Sequence, residues 1–245
     1  MEQGAAMKTK CLSYEYWVDR IESGEPFTFT RYGDGEYKAI VGKKTRNCDG
    51  HTLANGQMRR ELVKSIVRPR SERFIRGIWM DKKCRPVKAF GQNYQAWANK
   101  HAGHVTWYDG LIFNFANNEG RNYPFFEVMR NHKLPIVVIG PKHLRRLKEK
   151  CFDYDGFVQV PYRTAYQAKA RIIQEALEFE PPVLYSISAG PPAPIFAHEL
   201  WKARGDSCMI LDLGSIFDGY CGKKTRRAWR EFITPEIARR NLEGP

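Results

Sequence analysis

The chain alternates short apolar runs with longer amphipathic stretches. Phenylalanine and threonine alternate over residues 27–30, which is the period of a half-buried strand. Residues 135–139 form a continuous apolar run, typical of a strand that is covered on both faces. Residues 164–178 instead place apolar side chains such as Ile173 and Leu177 at helical spacing. Both periods occur in one chain, so the pattern predicts an α/β protein.

This alternation predicts strands that are mostly followed by helices. The predicted strands are 27–31, 74–80, 104–108, 135–139, 156–160, 183–188 and 208–213. The predicted helices are 13–23, 55–67 (capped by Asn55), 92–101, 123–131, 142–150, 164–178 and 194–203, while 109–118 fits either period. Strands that alternate with helices favour a mostly parallel sheet with helices on both faces. We therefore predict a single Rossmann-like domain over residues 1–245 with a basic C-terminal tail.

Composition narrows the class of protein. Hydrophobic residues make up 42% of the 245 residues, enough for a substantial core. No run approaches the roughly 18 apolar residues of a membrane-spanning helix, and the first ten residues lack the apolar segment of a secretory signal. The six cysteines include no Cys-x-x-Cys pair, which argues against zinc. We expect a cytoplasmic protein with reduced thiols and no transmembrane segment.

The net charge of +13 is unevenly distributed. Residues 59–88 contain eleven lysines and arginines against three acids, a net charge of +8. The basic residues of the tail are Lys223, Lys224, Arg226, Arg227, Arg230, Arg239 and Arg240. Such patches attract polyanions, and the candidate partners are nucleic acid, an anionic membrane surface and phosphate-rich ligands. The alternative is a basic surface that serves only solubility.

A glycine-flanked acidic turn follows the first predicted strand, in the order Gly33, Asp34, Gly35, Glu36. The glycines allow the backbone to bend and to approach a ligand closely. Two carboxylates two residues apart suit a hard cation, so we predict that Asp34 and Glu36 bind Mg²⁺ or Mn²⁺, an ion often shared with nucleotide phosphates. Arg31 adds a guanidinium that can grip a phosphate in a bidentate manner. An ordinary Asp-Gly turn is the alternative.

Three further turns follow predicted strands at 140–141, 188–191 and 212–218. Ligands of parallel α/β sheets bind beyond the carboxyl ends of the strands, so these turns and the acidic turn are expected at one rim. Ser188 and Gly190 are predicted to contact phosphate or ribose. Asp212 and Asp218 are predicted to act as a general base or to bind sugar hydroxyls, although Asp212 could instead cap its own turn.

The segment from Arg31 to Glu36 resembles the Arg-Phe-Gly-Asp-Gly-Glu signature of the GT-D-fold glycosyltransferases, formerly a domain of unknown function. Residues 138–141, 160–161, 188–191 and 211–214, followed by Asp218, are similar to later pieces of that family in the same order. The resemblance spans roughly residues 27–220. It departs at Tyr32, where phenylalanine is more usual, and at Ser215, where a histidine is expected.

The resemblance implies transfer of a sugar from a nucleotide diphosphate donor, commonly a UDP-sugar, with a divalent metal. Its Asp-x-Glu motif corresponds to Asp34 and Glu36. The expected catalytic acids are Asp212 and Asp218. The expected donor-binding residues are Arg31, Gly33, Gly35, Gly140, Ser188, Gly190, Pro191, Arg163 and Tyr166. The charge adds a possible polyanionic acceptor, either DNA with a hydroxylated base or a lipid-phosphate-linked sugar.

Two other functions remain open from the sequence. A nucleic-acid-binding module without catalysis explains the basic patches but leaves the acidic turn unexplained. A metal-dependent phosphohydrolase or nuclease would use the same carboxylates without attaching a sugar to an acceptor.

Overall fold

The computed structural model describes residues 7–42, 56–81, 83–87, 91–224 and 226–244. These residues form an eight-stranded sheet in the order β1-β4-β3-β2-β8-β7-β5-β6, and every pairing between the strands is parallel. The strands are β1 Lys8–Lys10, β2 Thr28–Tyr32, β3 Phe74–Ile78, β4 Thr106–Asp109, β5 Ile136–Gly140, β6 Gly156–Gln159, β7 Leu184–Ile187 and β8 Met209–Asp212. The predicted α/β class with a mostly parallel sheet is confirmed.

Helices cover both faces of this sheet. They are α1 Tyr14–Glu22, α2 Asp34–Ile40, α3 Gly56–Val67, α4 Gly91–Ala102, α5 Ile112–Asn118, α6 Tyr123–Arg130, α7 Leu147–Lys150, α8 Lys169–Leu177, α9 Ala193–Arg204, α10 Arg227–Glu231 and α11 Pro235–Glu243. Helices α1, α5 and α6 pack on one face, while α3, α4, α8 and α9 pack on the other. Among the described helices, none is both long and apolar enough for a membrane span.

The period of two in the strands explains this layering. In β5, Ile136 and Val138 contact the core beneath α1 and α6, whereas Val137 and Ile139 contact the core beneath α8 and α9. Successive side chains of a strand point to opposite faces, so a continuous apolar run fills both layers at once.

Several predicted boundaries were wrong. The acidic turn at 33–36 opens the short helix α2, and the predicted helix at 164–178 begins only at Lys169. The basic helix at 142–150 starts as a 3₁₀ turn over Lys142–Arg146. Strand β1 and helices α10 and α11 were not predicted. The predicted cap Asn55 lies outside the described residues.

The prediction of uniformly reduced thiols was also wrong. Cys11 and Cys84 form a disulfide, with their Cα atoms 5.8 Å apart. Cys151, Cys208 and Cys221 are free and buried.

Candidate active site

The acidic turn joins β2 to α2 at the carboxyl rim of the sheet. The Gly33 N–H donates to Oε2 of Glu36 at 2.7 Å, which closes the first turn of α2. Asp34 points outward, where its Oδ2 accepts from Lys38 Nζ at 2.8 Å. A Cβ on Gly35 would lie 3.3 Å from Cγ of Pro191, so glycine allows α2 to start close to the β7–α9 turn.

A cavity that we call the carboxylate pocket opens beside this turn, in the crevice between β2 and β8. It gathers three carboxylates and two guanidinium groups. The residues that define it are Arg31, Asp34, Glu36, Asn114, Asp212 and Arg226. Opposite charges that line one cavity suit a ligand that carries anionic groups together with a cation.

Burial in the carboxylate pocket disfavours charge on its side chains. It raises the pKa of Glu36 to about 7, and the neighbouring charge of Asp212 adds to this rise, while the Gly33 N–H and Arg31 oppose it. Burial also lowers the pKa of Arg226, although the charge of Glu36 favours its protonated form. A divalent cation would relieve the crowding of the carboxylates.

Asp212 ends β8 and is held on both oxygens by the backbone. Its Oδ2 accepts from the Arg31 N–H at 3.1 Å, and its Oδ1 accepts from the Gly214 N–H at 3.2 Å. Burial raises the pKa of Asp212 to about 6, while the charge and N–H of Arg31 oppose the rise. Each carboxylate oxygen keeps a second lone pair, so the group can still accept a proton from a ligand.

A second cavity, the histidine pocket, adjoins the first along the same rim. The residues that define it are His143, Val160, Tyr162, Ser188, Asp218 and Lys223. The two pockets share a wall made by Gly190, Gly214, Ser215 and Arg226. In the histidine pocket, Nε2 of His143 lies 3.0 Å from Oδ1 of Asp218. Burial raises the pKa of Asp218, and the hydrogen bond with His143 opposes the rise.

Three buried polar atoms of pocket-lining residues lack a hydrogen-bond partner among the described residues. They are Nε of Arg31, Oδ1 of Asn114 and Oγ of Ser188. Buried polar atoms in folded proteins are nearly always paired, so atoms left without a partner beside a cavity favour a polar ligand there.

Most of the predicted site residues meet at these pockets. Those that line one or both of them are Arg31, Gly33, Asp34, Gly35, Glu36, Ser188, Gly190, Pro191, Asp212 and Asp218. Their convergence follows from the parallel sheet, because the ends of β2, β7 and β8 lie side by side.

Three predicted residues lie elsewhere. Gly140 packs inside the fold, because a Cβ there would lie 2.7 Å from Cδ1 of Leu144. Arg163 is exposed and lines neither pocket. Tyr166 packs against the core beneath α3 and α4, with its ring 5.9 Å from Nζ of Lys169. Of the residues that follow β6, Val160, Pro161 and Tyr162 line the histidine pocket, whereas Arg163 and Tyr166 do not.

Sequence reasoning missed several residues of the site. His143 lies in the turn after β5, but its partner Asp218 is 75 positions away in sequence. Arg226 belongs to the basic tail, where nothing distinguishes it from its neighbours. Asn114 lies in the segment 109–118, whose period fits either a helix or a strand, and Trp79 lies near the end of the predicted strand 74–80. The one sequence feature that could have identified such a residue is its position directly after a strand, as for His143 after β5.

Asp34 and Glu36 have the donor type that a magnesium or manganese ion requires. No group of three or more histidine, cysteine, aspartate or glutamate side chains that could hold a metal occurs within the described ranges. Mg²⁺ is commonly held by one or two carboxylates together with substrate phosphates and water. The pair therefore fits an ion that arrives with a phosphate ligand better than a resident structural ion.

The fold is that of known glycosyltransferase-fold proteins. A glycosyltransferase (DUF1792) from Streptococcus sanguinis superposes with a TM-score of 0.58 at 17% identity, over 87% of this chain and 84% of that one. A structure of the domain of unknown function 1792 described as a distinct glycosyltransferase fold gives a TM-score of 0.61 at 14% identity, over 98% and 90%. No protein-family model and no curated protein matches the sequence.

Proposed function

We propose that this protein is a metal-dependent glycosyltransferase that transfers a sugar from a nucleotide diphosphate donor, such as a UDP-sugar, to an acceptor hydroxyl. The observation that carries the proposal is the joined pair of pockets at the strand ends. One is rich in carboxylates and guanidinium groups, and the other combines apolar and hydroxyl side chains with the His143–Asp218 pair and Lys223. A nucleotide-sugar presents the same sequence of chemistry, from a flat base and ribose to a charged diphosphate. The shared glycosyltransferase fold supports this reading.

The histidine pocket is suited to the nucleoside. Val160 and Tyr162 offer an apolar wall for a base, and the Ser188 hydroxyl lacks a partner among the described residues. Asp218 and His143 already hold one another at 3.0 Å, so they present a fixed pair of polar groups to ribose hydroxyls.

The carboxylate pocket is suited to the diphosphate and the sugar. Arg31 is fixed by a hydrogen bond from its Nη1 to the Leu213 carbonyl at 2.9 Å, and its Nε is left for a phosphate oxygen. Arg226 adds a second positive charge to the same cavity. Asp34 and Glu36 would hold the divalent cation. The cation would neutralise the negative charge that develops on the departing diphosphate.

Asp212 is the group that would receive the acceptor proton. Its pKa of about 6 leaves it ionised at neutral pH yet close enough to that pH to act as a base. The acceptor oxygen then bonds to the anomeric carbon of the sugar, the bond from that carbon to the diphosphate breaks, and the nucleotide leaves with the electron pair. The backbone hydrogen bonds to Asp212 fix its position before the reaction begins.

The acceptor is proposed to be a polyanion, because the chain carries a net charge of +13. Modified DNA and a lipid-phosphate-linked sugar both meet this description. The test is incubation of the full chain with a panel of nucleotide-sugars, Mn²⁺ or Mg²⁺, and each acceptor, followed by mass spectrometry of the acceptor. We expect a mass increase of one sugar that requires the metal.

Release of nucleotide without sugar on any acceptor, or cleavage of the DNA, would instead identify a phosphohydrolase or nuclease. The absence of both turnover and donor binding in the presence of metal would contradict the proposal altogether.

A further inference from the structure

One surface of the molecule carries a concentration of positive charge that lies outside both pockets. It runs along α3 and the turn that follows. We call it the α3 stripe, and its members are Arg59, Arg60, Lys64, Arg68, Arg70 and Arg73. All six side chains are exposed. Only two acids, Glu61 and Glu72, occur between the first and the last of these positions.

The charges of the α3 stripe are not neutralised within the described part of the chain. None of its six side chains forms an ion pair with a described residue, and Glu61 is already bound to Lys169 at 2.7 Å. Exposed cations elsewhere do have acidic partners. Examples are Lys148 with Asp153 at 2.9 Å, Arg171 with Glu175 at 2.7 Å and Arg239 with Glu236 at 2.9 Å.

Other arginines of the same basic segment are also engaged. Arg76 is buried, and its guanidinium donates to the carbonyls of Ile66, Phe74 and Pro69. Arg85 pairs with Asp81. The structure therefore separates the described cations of this basic segment into those that serve the fold and an exposed set without an acidic partner among the described residues.

The spacing of the α3 stripe suits a regular polyanion. Arg60, Lys64 and Arg68 lie four residues apart, on one side of the helix and its last turn. The row extends over about 12 Å, a length along which one DNA strand presents about three to four phosphates. Like charges at this spacing destabilise an isolated helix, so the row opposes folding unless an anion is bound.

The row continues around the end of the sheet. Arg70 and Arg73 line an open groove at the amino ends of β3 and β4, together with Lys10, Arg20 and His104. Glu72 is the one acid among the residues that line this groove in the described part of the chain. The positive surface is therefore longer than α3 itself.

We propose that the α3 stripe binds the phosphate backbone of a nucleic acid. A membrane-binding helix of this charge would present large apolar side chains beside its cations. The exposed face of α3 has none, because the large exposed hydrophobic residues in the described chain are Tyr16, Phe115, Tyr162 and Phe232. The charge without apolar anchors favours phosphate contacts in water over insertion into lipid.

The α3 stripe is connected to the candidate site through α2. Helix α3 packs against α2, which carries Asp34 and Glu36 at its first turn. A nucleic acid bound along α3 would therefore lie beside α2, while the groove lined by Arg70 and Arg73 would lead it towards the amino ends of the strands, opposite the rim that carries the predicted metal ligands. That the bound nucleic acid is also the sugar acceptor rests on the proposed function, whereas the binding itself does not.

The test measures binding of labelled duplex and single-stranded DNA to the full chain by fluorescence anisotropy at several salt concentrations. The triple variant Arg60→Gln, Lys64→Gln, Arg68→Gln is compared with the wild type. We expect its affinity to fall at least tenfold at low salt. The slope of log affinity against log salt should decrease in magnitude by roughly 2 to 3, since each phosphate contact contributes about 0.9 for duplex DNA.

The matched control is Lys148→Gln, Arg171→Gln, Arg239→Gln, which removes the same charge from three cations that have acidic partners. It should weaken binding by less than threefold. Equal losses in both triple variants would show that only net charge matters and would overturn the proposal, as would absence of DNA binding or tighter binding to vesicles of anionic lipid. Donor hydrolysis by the α3 variant should equal that of the wild type, so a failure of catalysis and a failure of nucleic-acid binding are separate results.

Discussion

Two turns that border the carboxylate pocket each carry an aspartate, but the two side chains are held in different ways. After β2, the half-exposed carboxylate of Asp34 accepts from the half-exposed Lys38. After β8, Asp212 is buried and both its oxygens accept backbone N–H groups. The difference indicates that the β2 turn can reorient towards an arriving cation, whereas the β8 turn is positioned in advance.

The two turns are therefore expected to differ in their contribution to the stability of the fold. A surface ion pair such as that between Asp34 and Lys38 contributes about 1 kcal/mol or less to folding. The hydrogen bond from the Arg31 N–H to Asp212 joins β2 to β8, and the one from the Gly214 N–H holds the turn that follows β8. Loss of the carboxylate would leave both donors unpaired. The four predictions below test whether the two turns differ in this way.

The largest effect is expected at the β2 turn. Asp34→Asn or Glu36→Gln should reduce sugar transfer about a thousandfold, or roughly 4 kcal/mol in the barrier, because the cation loses a charged ligand. The melting temperature should stay nearly unchanged. Asp153→Asn, at another exposed acid paired with a lysine, is the control and should leave transfer intact. Full activity in both site variants would remove the metal role from this turn.

A smaller effect on stability is expected at the β8 turn. Asp212→Ala leaves the N–H groups of Arg31 and Gly214 without their acceptor. We expect the free energy of unfolding to fall by about 2 to 3 kcal/mol, measured by urea denaturation. Asp34→Ala measured in parallel should lose less than about 1 kcal/mol. Equal losses would show that the two turns do not differ in constraint.

The pH dependence of stability should reveal the burial of Asp212. Its pKa is about 6 in the fold, against an ordinary value near 4, so the unfolded chain releases this proton first as pH rises. Its contribution to stability is present below pH 4 and is lost as pH rises to about 6, on the order of 2 kcal/mol in total. Subtracting the profile of Asp212→Asn from that of the wild type isolates it. A flat difference across this range would contradict the burial.

The smallest effect is expected when the partner of Asp34 is removed. Lys38→Met leaves the Asp34 carboxylate without its cation and should strengthen Mn²⁺ binding about twofold to threefold, equivalent to roughly 0.5 kcal/mol. Isothermal titration calorimetry in the presence of a nucleoside diphosphate would measure it. Weaker binding would mean that Lys38 itself contacts the ligand.

The sequence predicted the sheet well because its signals were strong. Continuous apolar runs such as 135–139 fit a strand that is covered on both faces. All seven predicted strands are confirmed, and no predicted end differs from the observed end by more than two residues. Strand β1 was missed because it is three residues long and has the sequence Lys-Thr-Lys. Its place at the sheet edge is decided by pairing with β4, which no local pattern reveals.

The site was predictable in part for a related reason. Residues immediately after strands, such as Asp34, Ser188 and Asp212, follow from the rule that parallel strand ends converge. His143 and Arg226 depend on contacts between distant segments, and no period or motif marks them. Helix α2 was mistaken for a turn because Gly33 precedes it and Gly35, inside its first turn, has poor helix propensity. The packing of Gly35 on the β7–α9 turn outweighs that propensity.

The position of β8 has a consequence for the newly synthesised chain. This strand is the last in sequence but lies between β2 and β7, joining the group β1–β4 to the group β5–β7. A ribosome-bound chain that has not yet emerged beyond Met209 presents two unpaired strand edges, at β2 and at β7, and such edges invite aggregation. Insertion of one four-residue strand closes both edges, so the carboxylate pocket can form only after β8 has been synthesised and has taken its place in the sheet.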